Sequence, residues 1–354
     1  MIGSRLKSAR EAKGLSLRDF EASIQSRVSA QAIGKYERDE MMPGSTVLLA
    51  MAKALQVTPE YLLSERKIEL IGVDFRKAPP ASAKEERAVE AAVLDRVERY
   101  LELEELMPGA DVRWVAPANG QFDIHCIEDA EDAANSLRAL WELGVDPIPI
   151  LAELLEEKGV KVIALNLPEN VSGSKAFVRR SQDPEVPVIV VNEKHNGERQ
   201  RFTLAHELAH LVLRFSNLSD ADQEKAADRF AGAFLMAKEM MQRLLGVHRK
   251  SISLGELAEL KKLFKVSIAA LVVRCSQLGV LPKAAYGRLW AQIRTLGWNG
   301  PASDEPHQFE AEVPQRMERM CLRAVAENII SESRAAELLN ISVRELDRRM
   351  MTGV

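Results

Sequence analysis

The sequence predicts a multidomain protein that is mainly α-helical and carries one small β-sheet. At 354 residues the chain is too long for one ordinary domain, because single cores stop growing before that size. Apolar residues recur at helical spacing over residues 5–63 and again after residue 200, whereas short β-branched runs cluster between residues 160 and 191. The expected order is an all-α domain, an α+β domain and a helical C-terminal region.

The composition is that of a folded protein without extreme bias. Hydrophobic residues make up 46% and charged residues 28% of the chain, which argues against disorder and fibrous repeats. We find no apolar run long enough to span a bilayer and no signal peptide at the N-terminus, so we expect a cytoplasmic protein without membrane partners. The cysteines, Cys126, Cys275 and Cys321, show no paired spacing and are expected to be buried free thiols. The net charge of -4 argues against binding of nucleic acid through overall charge, so only a sequence motif can indicate DNA binding.

Linkers and changes of pattern divide the chain into residues 1–65, 66–145, 146–250 and 251–354. Consecutive prolines cannot continue a helix or a strand ladder, so residues 78–82 are interpreted as a linker. The amphipathic pattern over residues 84–106 predicts a connecting helix or a dimer seam.

The other expected elements alternate strands with helices before the chain becomes helical. The expected strands are residues 68–75, 160–165, 175–178 and 188–191. The expected helices are residues 129–143, 148–158, 200–215 and 220–245, with further helices to about residue 296 and from about residue 314.

The strongest chemical signal is an HExxH motif, His206-Glu207-Leu208-Ala209-His210, inside an apolar helical stretch. Residues four apart share one helix face, so both imidazoles can point at one ion. Zinc accepts neutral histidine nitrogens and leaves a position for water when three protein ligands bind. Glu207 follows the first ligand and is placed to take a proton from that water. The alternative is a pair of surface histidines, but polar histidines in a buried helix need a partner to offset desolvation.

The next predicted helix offers a third ligand. Glu224 and Asp228 are again four residues apart, so Glu224 can bind the metal while Asp228 accepts the free N–H of a ligand histidine. The other interpretation is that these acidic residues form a solvated helix face.

The stretches TLAHELAHLVL and EKAADRFAGAFLM resemble the ImmA/IrrE family of zinc metallopeptidases over residues 160–245. The resemblance implies an α+β zincin-like domain in which His206, His210 and Glu224 hold Zn²⁺ and Glu207 is the base. It also implies an edge strand beside the cleft, for which residues 188–192 are the candidate; an ordinary core strand is the alternative. Family members end the second helix with Leu-Met-Pro, whereas this chain has Leu235-Met236-Ala237, so we expect the helix to continue further.

The mechanism expected from the resemblance is attack of metal-activated water on a peptide carbonyl. The group that steadies the oxyanion is not identified by the sequence. His195, His248 and Tyr286 are candidates, and each is also readily interpreted as a surface or core residue.

Residues 5–63 resemble the XRE-type helix-turn-helix domain of phage repressors. The residues that carry this resemblance include Ala9-Arg10, Gly14-Leu15-Ser16, Phe20, Ser29, Gln31, Ile33, Tyr36-Glu37-Arg38 and Pro43.

The resemblance makes the region around Ser29 the start of a recognition helix. Ile33 and Tyr36 would anchor this helix, and Ser29 would cap it. Gln31 and Lys35 would face the major groove, and Lys35, Arg27 or Arg38 would reach phosphates.

Two features depart from the helix-turn-helix pattern. Leu17 replaces the usual glutamine early in the second helix, and the turn at residues 25–28 is about two residues longer than typical. A helix-turn-helix fold used only for protein contact is the alternative.

Together these patterns assign residues 1–65 to DNA binding, 66–145 to a linker with connecting helices, 146–250 to a metallopeptidase and 251–354 to a helical region for docking or dimerisation. Residues 331–346 also have a helix-turn-helix pattern of apolar residues.

The leading hypothesis is a zinc-dependent endopeptidase and transcriptional regulator that cleaves a partner repressor in a stress or phage-related response. The alternatives are a DNA-binding transcription factor whose peptidase-like domain senses metal or ligand without hydrolysis, and an antitoxin-like interaction module. Helix-turn-helix domains commonly bind two half-sites as dimers, so a homodimer is one option for the oligomeric state.

Overall fold

The computed structural model describes residues 2–64, 68–72, 83–117, 120–180, 184–300 and 304–352. The predicted mainly helical fold with a small β component is confirmed. The helices of these residues are α1 (Gly3–Ala12), α2 (Leu17–Ser23), α3 (Ala30–Glu37), α4 (Ser45–Leu55), α5 (Pro59–Leu63), α6 (Ala83–Leu106), α7 (Asp129–Leu140), α8 (Leu151–Glu157), α9 (Gly197–Val212), α10 (Asp220–Leu235), α11 (Lys238–Leu245), α12 (Leu254–Phe264), α13 (Ile268–Gln277), α14 (Lys283–Thr295), α15 (Arg316–Ala326), α16 (Glu332–Leu339) and α17 (Val343–Thr352). The strands are β1 (Ile68–Ile71), β2 (Phe122–Ile124), β3 (Lys161–Leu165), β4 (Gly173–Arg180), β5 (Val186–Asn192) and β6 (Leu213–Phe215).

The chain forms two compact units, each built from more than one segment. The first unit contains Met1–Arg113, Ala176–Val186 and Gln315–Val354, and the second contains Trp114–Lys175 and Pro187–Pro314. The region after residue 250 is therefore shared between the two units. The proposed linker at residues 78–82 lies outside the described residues. Within the described residues, no helix has both the length and the apolar character needed to cross a membrane.

In the first unit, α1–α5 form the helical bundle expected at the N-terminus. Side chains cap several of these helices: Ser16 and Asp19 form a capping box on α2, and Thr58 caps α5 ahead of Pro59. The ion pair between Arg10 and Glu37 ties α1 to α3 through distances of 2.6 and 2.9 Å. The apolar core of this bundle includes Leu6, Phe20, Ile24, Ile33, Tyr36, Met51, Leu55 and Leu62.

A second core of the first unit joins α6 to the C-terminal helices. Its buried residues include Tyr100, Leu103, Met107, Met320, Cys321, Ala335, Leu338 and Leu346. At the other face of α6, Arg5 pairs with Glu98, with one bond of 2.7 Å, and so fixes α1 to α6. Strand β1 pairs antiparallel with the end of β4, with Ile68 opposite Arg180 and Ile71 opposite Phe177. Helix α6 is thus a packed connecting helix of this unit.

The second unit contains two pairs of parallel strands. Strand β3 pairs with β5, with Lys161 opposite Val188 and Leu165 opposite Asn192. Strand β2 pairs with β6, which follows α9 directly. The first residues of β4 lie on the other side of β5, where Asn192 donates a backbone hydrogen bond to Ser172 at 2.9 Å.

Three features of the structure differ from what the sequence predicts. The strand at residues 188–192 is an interior strand with buried side chains, because β3 and the start of β4 flank it, so it is not an exposed edge. The helix from residue 200 ends at Val212, and Leu213–Phe215 forms β6 because it finds a partner in β2. Cys126 is exposed, whereas Cys275 and Cys321 are buried as expected.

The second motif helix also ends earlier than expected. Met236 leaves the helical conformation with φ -130° and ψ 78°, and α11 starts two residues later. The physical reason lies on α13, where Arg274 donates from Nε to the Met236 carbonyl at 3.0 Å. This bond satisfies the backbone group that a longer helix would have paired.

Candidate metal centre

The two motif histidines lie on one face of α9. Asn196 caps this helix by accepting a hydrogen bond from the Arg199 N–H at 3.0 Å. The apolar residues around the motif, Leu204, Ala205, Leu208 and Ala209, are fully buried and hold the helix in the core. On the remaining face, Nε2 of His206 and Nε2 of His210 are 3.2 Å apart.

Glu224, on the neighbouring helix α10, completes a triangle of ligand atoms. Its Oε2 lies 3.3 Å from Nε2 of His206, and its Oε1 lies 3.3 Å from Nε2 of His210. Among the described residues, these three form the one group of at least three histidine, cysteine or carboxylate side chains with metal-binding proximity. Four tetrahedral ligands at about 2.0–2.1 Å from zinc lie about 3.3–3.4 Å from one another. The residues present therefore fit a zinc ion.

Asp228 lies one turn further along α10 and contacts the opposite nitrogen of the first histidine. Its Oδ1 is 2.9 Å from Nδ1 of His206. A proton on Nδ1 directs the Nε2 lone pair towards His210 and Glu224, which is the tautomer that metal binding requires.

The carboxylates also change the acid–base behaviour of His206. Burial disfavours the charged imidazole, but hydrogen bonds to Asp228 and Glu224 and the nearby charge of Glu207 outweigh it and raise the pKa of His206 to about 10. Without metal, the imidazole is therefore held as a cation among carboxylates. A divalent cation would replace that proton and meet the same negative charges.

Glu207 is half-buried and follows His206 on α9. Its negative charge is one of the causes that raise the pKa of His206. The role of Glu207 as general base stays a prediction from the sequence.

Three contacts that the sequence did not reveal hold the end of α9. Lys175 of β4 donates to the carbonyl of His210 at 2.9 Å, and Gln121 donates to the carbonyl of Leu211 at 3.0 Å. The Phe215 ring lies 5.8 Å from the His210 ring, centroid to centroid, in an edge arrangement. No motif in the sequence signals these residues, because each is brought to α9 by tertiary pairing.

Helix α10 is fixed by a buried charge network on its other side. Glu131 of α7 accepts from Arg229 at 2.7 Å and from Arg274 of α13 at 2.6 and 2.7 Å. Arg229 follows Asp228 directly, so this network sets the rotation of α10 that turns Glu224 and Asp228 towards α9. The arginines hold the pKa of Glu131 below its usual value even though burial opposes this.

The three oxyanion candidates make other contacts. His195 is buried, with Nε2 3.2 Å from the carbonyl of Glu169. His248 faces the carbonyl of Gly279, and the Tyr286 ring packs against Trp290. None of these contacts involves a residue of the candidate metal centre.

In the first unit, the candidate DNA-binding residues are exposed around α3. Ser29 caps α3 by accepting from the Ala32 N–H at 3.3 Å, and Ile33 and Tyr36 anchor the helix in the core. The side chains named for DNA contact, Arg27, Gln31, Lys35 and Arg38, are all exposed. The turn before α3 contains Gln25 and Ser26 with positive φ values of 58° and 50°.

Two family models match the chain. Residues 155–276 match the peptidase M78 model described as the IrrE N-terminal-like domain, and residues 6–62 match a helix-turn-helix model. The chain is also similar to the radiation response metalloprotease IrrE of Deinococcus deserti, with 41% identity over 18% of this chain and 27% of the relative. The match thus spans about a quarter of that relative's length.

Proposed function

From an XRE-type helix-turn-helix domain and an IrrE N-terminal-like domain on one chain, we propose a zinc-dependent endopeptidase that is also a transcriptional regulator. Its substrate is a partner protein, a transcriptional repressor, in a stress or phage-related response. The helix-turn-helix domain binds DNA through α3. Zinc is held by His206, His210 and Glu224.

The observation that carries this proposal is the triangle of ligand atoms on α9 and α10. The two histidine nitrogens and the Glu224 oxygens are 3.2–3.3 Å apart, and Glu207 follows the first ligand on the same helix. A metal site used only for sensing needs the three ligands but has no need of a base between the histidines.

When bound, zinc would polarise the scissile carbonyl and make water a better nucleophile. Glu207 accepts the proton of the attacking water on its carboxylate and then delivers it to the nitrogen of the departing amine. Asp228 keeps the His206 ring in one tautomer throughout, so the ligand set does not change its protonation during turnover.

The first experiment measures zinc content and cleavage together. The parent chain should contain about one zinc per molecule, and His206→Ala and Glu224→Ala should both lose it. Glu207→Gln should keep zinc and cleave roughly 10²–10⁴-fold more slowly. Cleavage is measured by mass spectrometry as new N-termini in a proteome-derived peptide library, which offers many peptide sequences at once.

The outcomes separate the proposed function from its alternative. A zinc-loaded Glu207→Gln variant that cuts as fast as the parent would contradict the assigned base. A parent chain that binds zinc but creates no new N-termini, while its DNA affinity changes with zinc, would instead establish a transcription factor that senses metal without hydrolysis.

A further inference from the structure

The last helices of the first unit, α16 and α17, are joined by a tight turn and pack with α15 in the second core of that unit. Helix α16 ends at Leu339 and α17 begins at Val343, so three residues connect them, which is the turn length of a helix-turn-helix motif. Asn340 ends α16 in the left-handed conformation with φ 57°, and the Ile341 N–H returns to the Ala336 carbonyl at 2.9 Å. The apolar pattern of residues 331–346 thus folds into two helices with a fixed connection.

Helix α17 repeats the residue spacing of α3, the helix proposed above to bind DNA. Ser342 caps α17 by accepting from the Glu345 N–H at 3.1 Å, as Ser29 caps α3 by accepting from the Ala32 N–H. In both helices an exposed polar residue follows the cap by two positions, a buried apolar residue by four and an exposed basic residue by six. These residues are Gln31, Ile33 and Lys35 on α3, and Arg344, Leu346 and Arg348 on α17.

The two arginines of α17 project away from the core of the unit. Leu346 is fully buried and lies two residues from each of them, and residues two apart differ by about 200° around a helix. Among the charged residues of α17, Arg344 and Arg348 are exposed, whereas Glu345, Asp347 and Arg349 are half-buried. The solvent-facing side of α17 therefore presents positive charge.

Both arginines can take a new partner. Arg344 forms no ion pair with any residue that the structure describes. Arg348 donates to Glu345 at 2.7 Å, but its side chain is 66% exposed, so solvent screens the pair and a phosphate can compete for it. Glu345 also accepts from Arg349 at 3.0 Å and keeps a cation when Arg348 turns to a phosphate.

The carboxylate-containing cavity of the first unit borders the start of α17 but not these two side chains. Ser342 and Val343 line that cavity together with Glu102 and Glu337, whereas Arg344 and Arg348 do not. Neither arginine side chain therefore points into the cavity, and both stay open to a ligand that approaches from solvent.

Exposed apolar side chains of α17 lie elsewhere on the helix. Val343 and Met350, three and four residues from Leu346, are at the border of the buried face. Met351 is 86% exposed, but it lies about two turns beyond Arg344, at the other end of the helix. The first two turns of the solvent-facing side are cationic, which complements a nucleic-acid backbone better than an apolar protein surface.

We propose that α17 is a second DNA-binding helix of this chain and that Arg344 and Arg348 contact the duplex. The N-terminal residues of a recognition helix reach base edges in the major groove, where an arginine can bind O6 and N7 of guanine. Arg344 occupies such a position, and Arg348 binds a phosphate one turn further along. The site goes beyond the DNA binding proposed for α3, because it uses other residues on another helix.

The test measures binding of the full chain to a random-sequence duplex by fluorescence anisotropy over a series of salt concentrations. Contacts to such a duplex are mainly electrostatic, so Arg344→Gln and Arg348→Gln should each reduce the log–log salt slope by about 1. Each should also lower the affinity at 50 mM salt on the order of tenfold. Thermal unfolding of the same samples should show an unchanged Tm, since both substitutions are on the surface.

Arg323→Gln is the matched control, because it makes the same charge change at an exposed arginine of α15. Salt screens a charge that does not contact the duplex, so the affinity of this variant should stay within about twofold of the parent. If Arg344→Gln and Arg348→Gln bound the duplex as Arg323→Gln does, α17 would not be a DNA-binding helix. A change of oligomeric state in the two α17 variants, without a change in DNA affinity, would instead make α17 a protein-docking helix and overturn the proposal.

Lys35→Gln separates this site from α3. The α17 substitutions should weaken DNA binding by the same factor in the Lys35→Gln chain as in the parent. Lys35→Gln without effect would argue against DNA binding by α3 and leave the test of α17 intact. Losses from Arg344→Gln and Arg348→Gln that vanish in the Lys35→Gln chain would mean that α17 has no DNA contact of its own.

Discussion

Oδ1 of Asp228 lies 2.9 Å from Nδ1 of His206, which leaves Nε2 of the same ring facing Glu224 and His210. One carboxylate of α10 thus orients a histidine while another, one helical turn before it, lies among the ligand atoms. The i, i+4 spacing that brings His206 and His210 together on α9 is repeated by Glu224 and Asp228 on α10. The face of α9 that carries both histidines therefore lies against the face of α10 that carries both carboxylates.

Replacing Asp228 by Asn should weaken zinc binding without removing any ligand. An amide is a weaker acceptor than a carboxylate, so the His206 ring loses both its orientation and part of its basicity. The expected loss of zinc affinity is about 10- to 100-fold. Competition with a chromogenic chelator measures it.

Asp220→Asn is the matched control for this change, because Asp220 is an exposed residue in the first turn of the same helix. It should leave zinc affinity within about twofold of the parent, as expected for a surface substitution. If the two variants bound zinc equally well, Asp228 would have no role in orienting His206.

Zinc affinity should rise with pH across the neutral range. The carboxylates raise the pKa of His206 from 6.5 to about 10 in the metal-free protein, so zinc must displace a proton at pH 7. For one displaced proton, the apparent affinity increases about tenfold per pH unit below pH 10. Chelator competition at pH 6, 7 and 8 measures how the apparent zinc affinity changes with pH. An affinity that did not change would contradict the assignment of His206 as a zinc ligand that is protonated in the metal-free protein.

The same raised pKa predicts the opposite trend for the stability of the metal-free chain. Its protonated His206 stabilises the fold fully below the unfolded-state pKa of 6.5, and this contribution is lost as pH rises towards 10. In paired thermal scans, Asp228→Asn should therefore reduce Tm more at pH 6 than at pH 10. Equal reductions of Tm at pH 6 and pH 10 would mean that His206 is neutral in the metal-free fold.

If α3 binds DNA as proposed, DNA affinity should depend on the ion pair between Arg38 and Glu40 at the end of this helix. Arg38 donates to Glu40 at 2.6 and 3.0 Å, and both side chains are about half exposed, at 59% and 49%. Solvent screens an exposed pair of this kind, so it contributes little to stability and a phosphate can compete for Arg38. Glu40→Gln should raise affinity for duplex DNA a few-fold at low salt, and Arg38→Ala should reduce the log–log salt slope by about 1.

Fluorescence anisotropy with a random-sequence duplex measures these effects without knowledge of the operator. Glu60→Gln makes the same charge change on α5, away from α3, and is the control. If Glu40→Gln and Glu60→Gln raised the affinity equally, net charge alone would explain the effect, and the pair would have no specific role.

The sequence predicted those parts of the site that depend on local periodicity. The ligand spacing on α9, the acidic spacing on α10 and the cap at Ser29 each follow from the geometry of one helix, so they can be read without a tertiary structure. The mainly helical fold was predicted for the same reason.

Features that depend on distant residues were not predicted. The end of α10 is set by Arg274, which lies 38 residues further along and binds the Met236 carbonyl. The apolar pattern of α9 continues into Leu213, but pairing with β2 makes these residues a strand. Whether β5 lies at an edge or inside the sheet depends on which strands flank it, and its uniformly apolar residues are compatible with both positions.

The approach of residues 304–314 to the start of α9 is another feature that depends on distant residues. Arg201 pairs with Glu312 at 2.5 Å, and Gln200 accepts from the Glu312 N–H at 2.8 Å. Lys261 binds both Glu198 and Glu305, at 2.6 and 2.9 Å. The first turns of the helix that carries both histidines are therefore clamped by this segment through buried charges.

Gly197 is the residue that permits this close approach. A Cβ at Gly197 would lie 2.1 Å from the carbonyl oxygen of Glu310 and 2.8 Å from that of Phe309, and backbone atoms cannot move aside as a flexible side chain can. Gly197→Ala should therefore destabilise the protein by about 1–3 kcal/mol through overpacking, although alanine favours helices. Because the displaced helix also carries His206 and His210, zinc affinity should fall together with Tm.

Gly255→Ala is the matched control, since the nearest atom to its added Cβ is Ser253 Oγ at 4.0 Å. In that helix the same substitution should stabilise the protein by about 0.5–1 kcal/mol and leave zinc affinity unchanged. Thermal unfolding and chelator competition on both variants decide the matter. If Gly197→Ala were as stable and bound zinc as tightly as Gly255→Ala, the segment would not lie against α9 closely enough to position this helix.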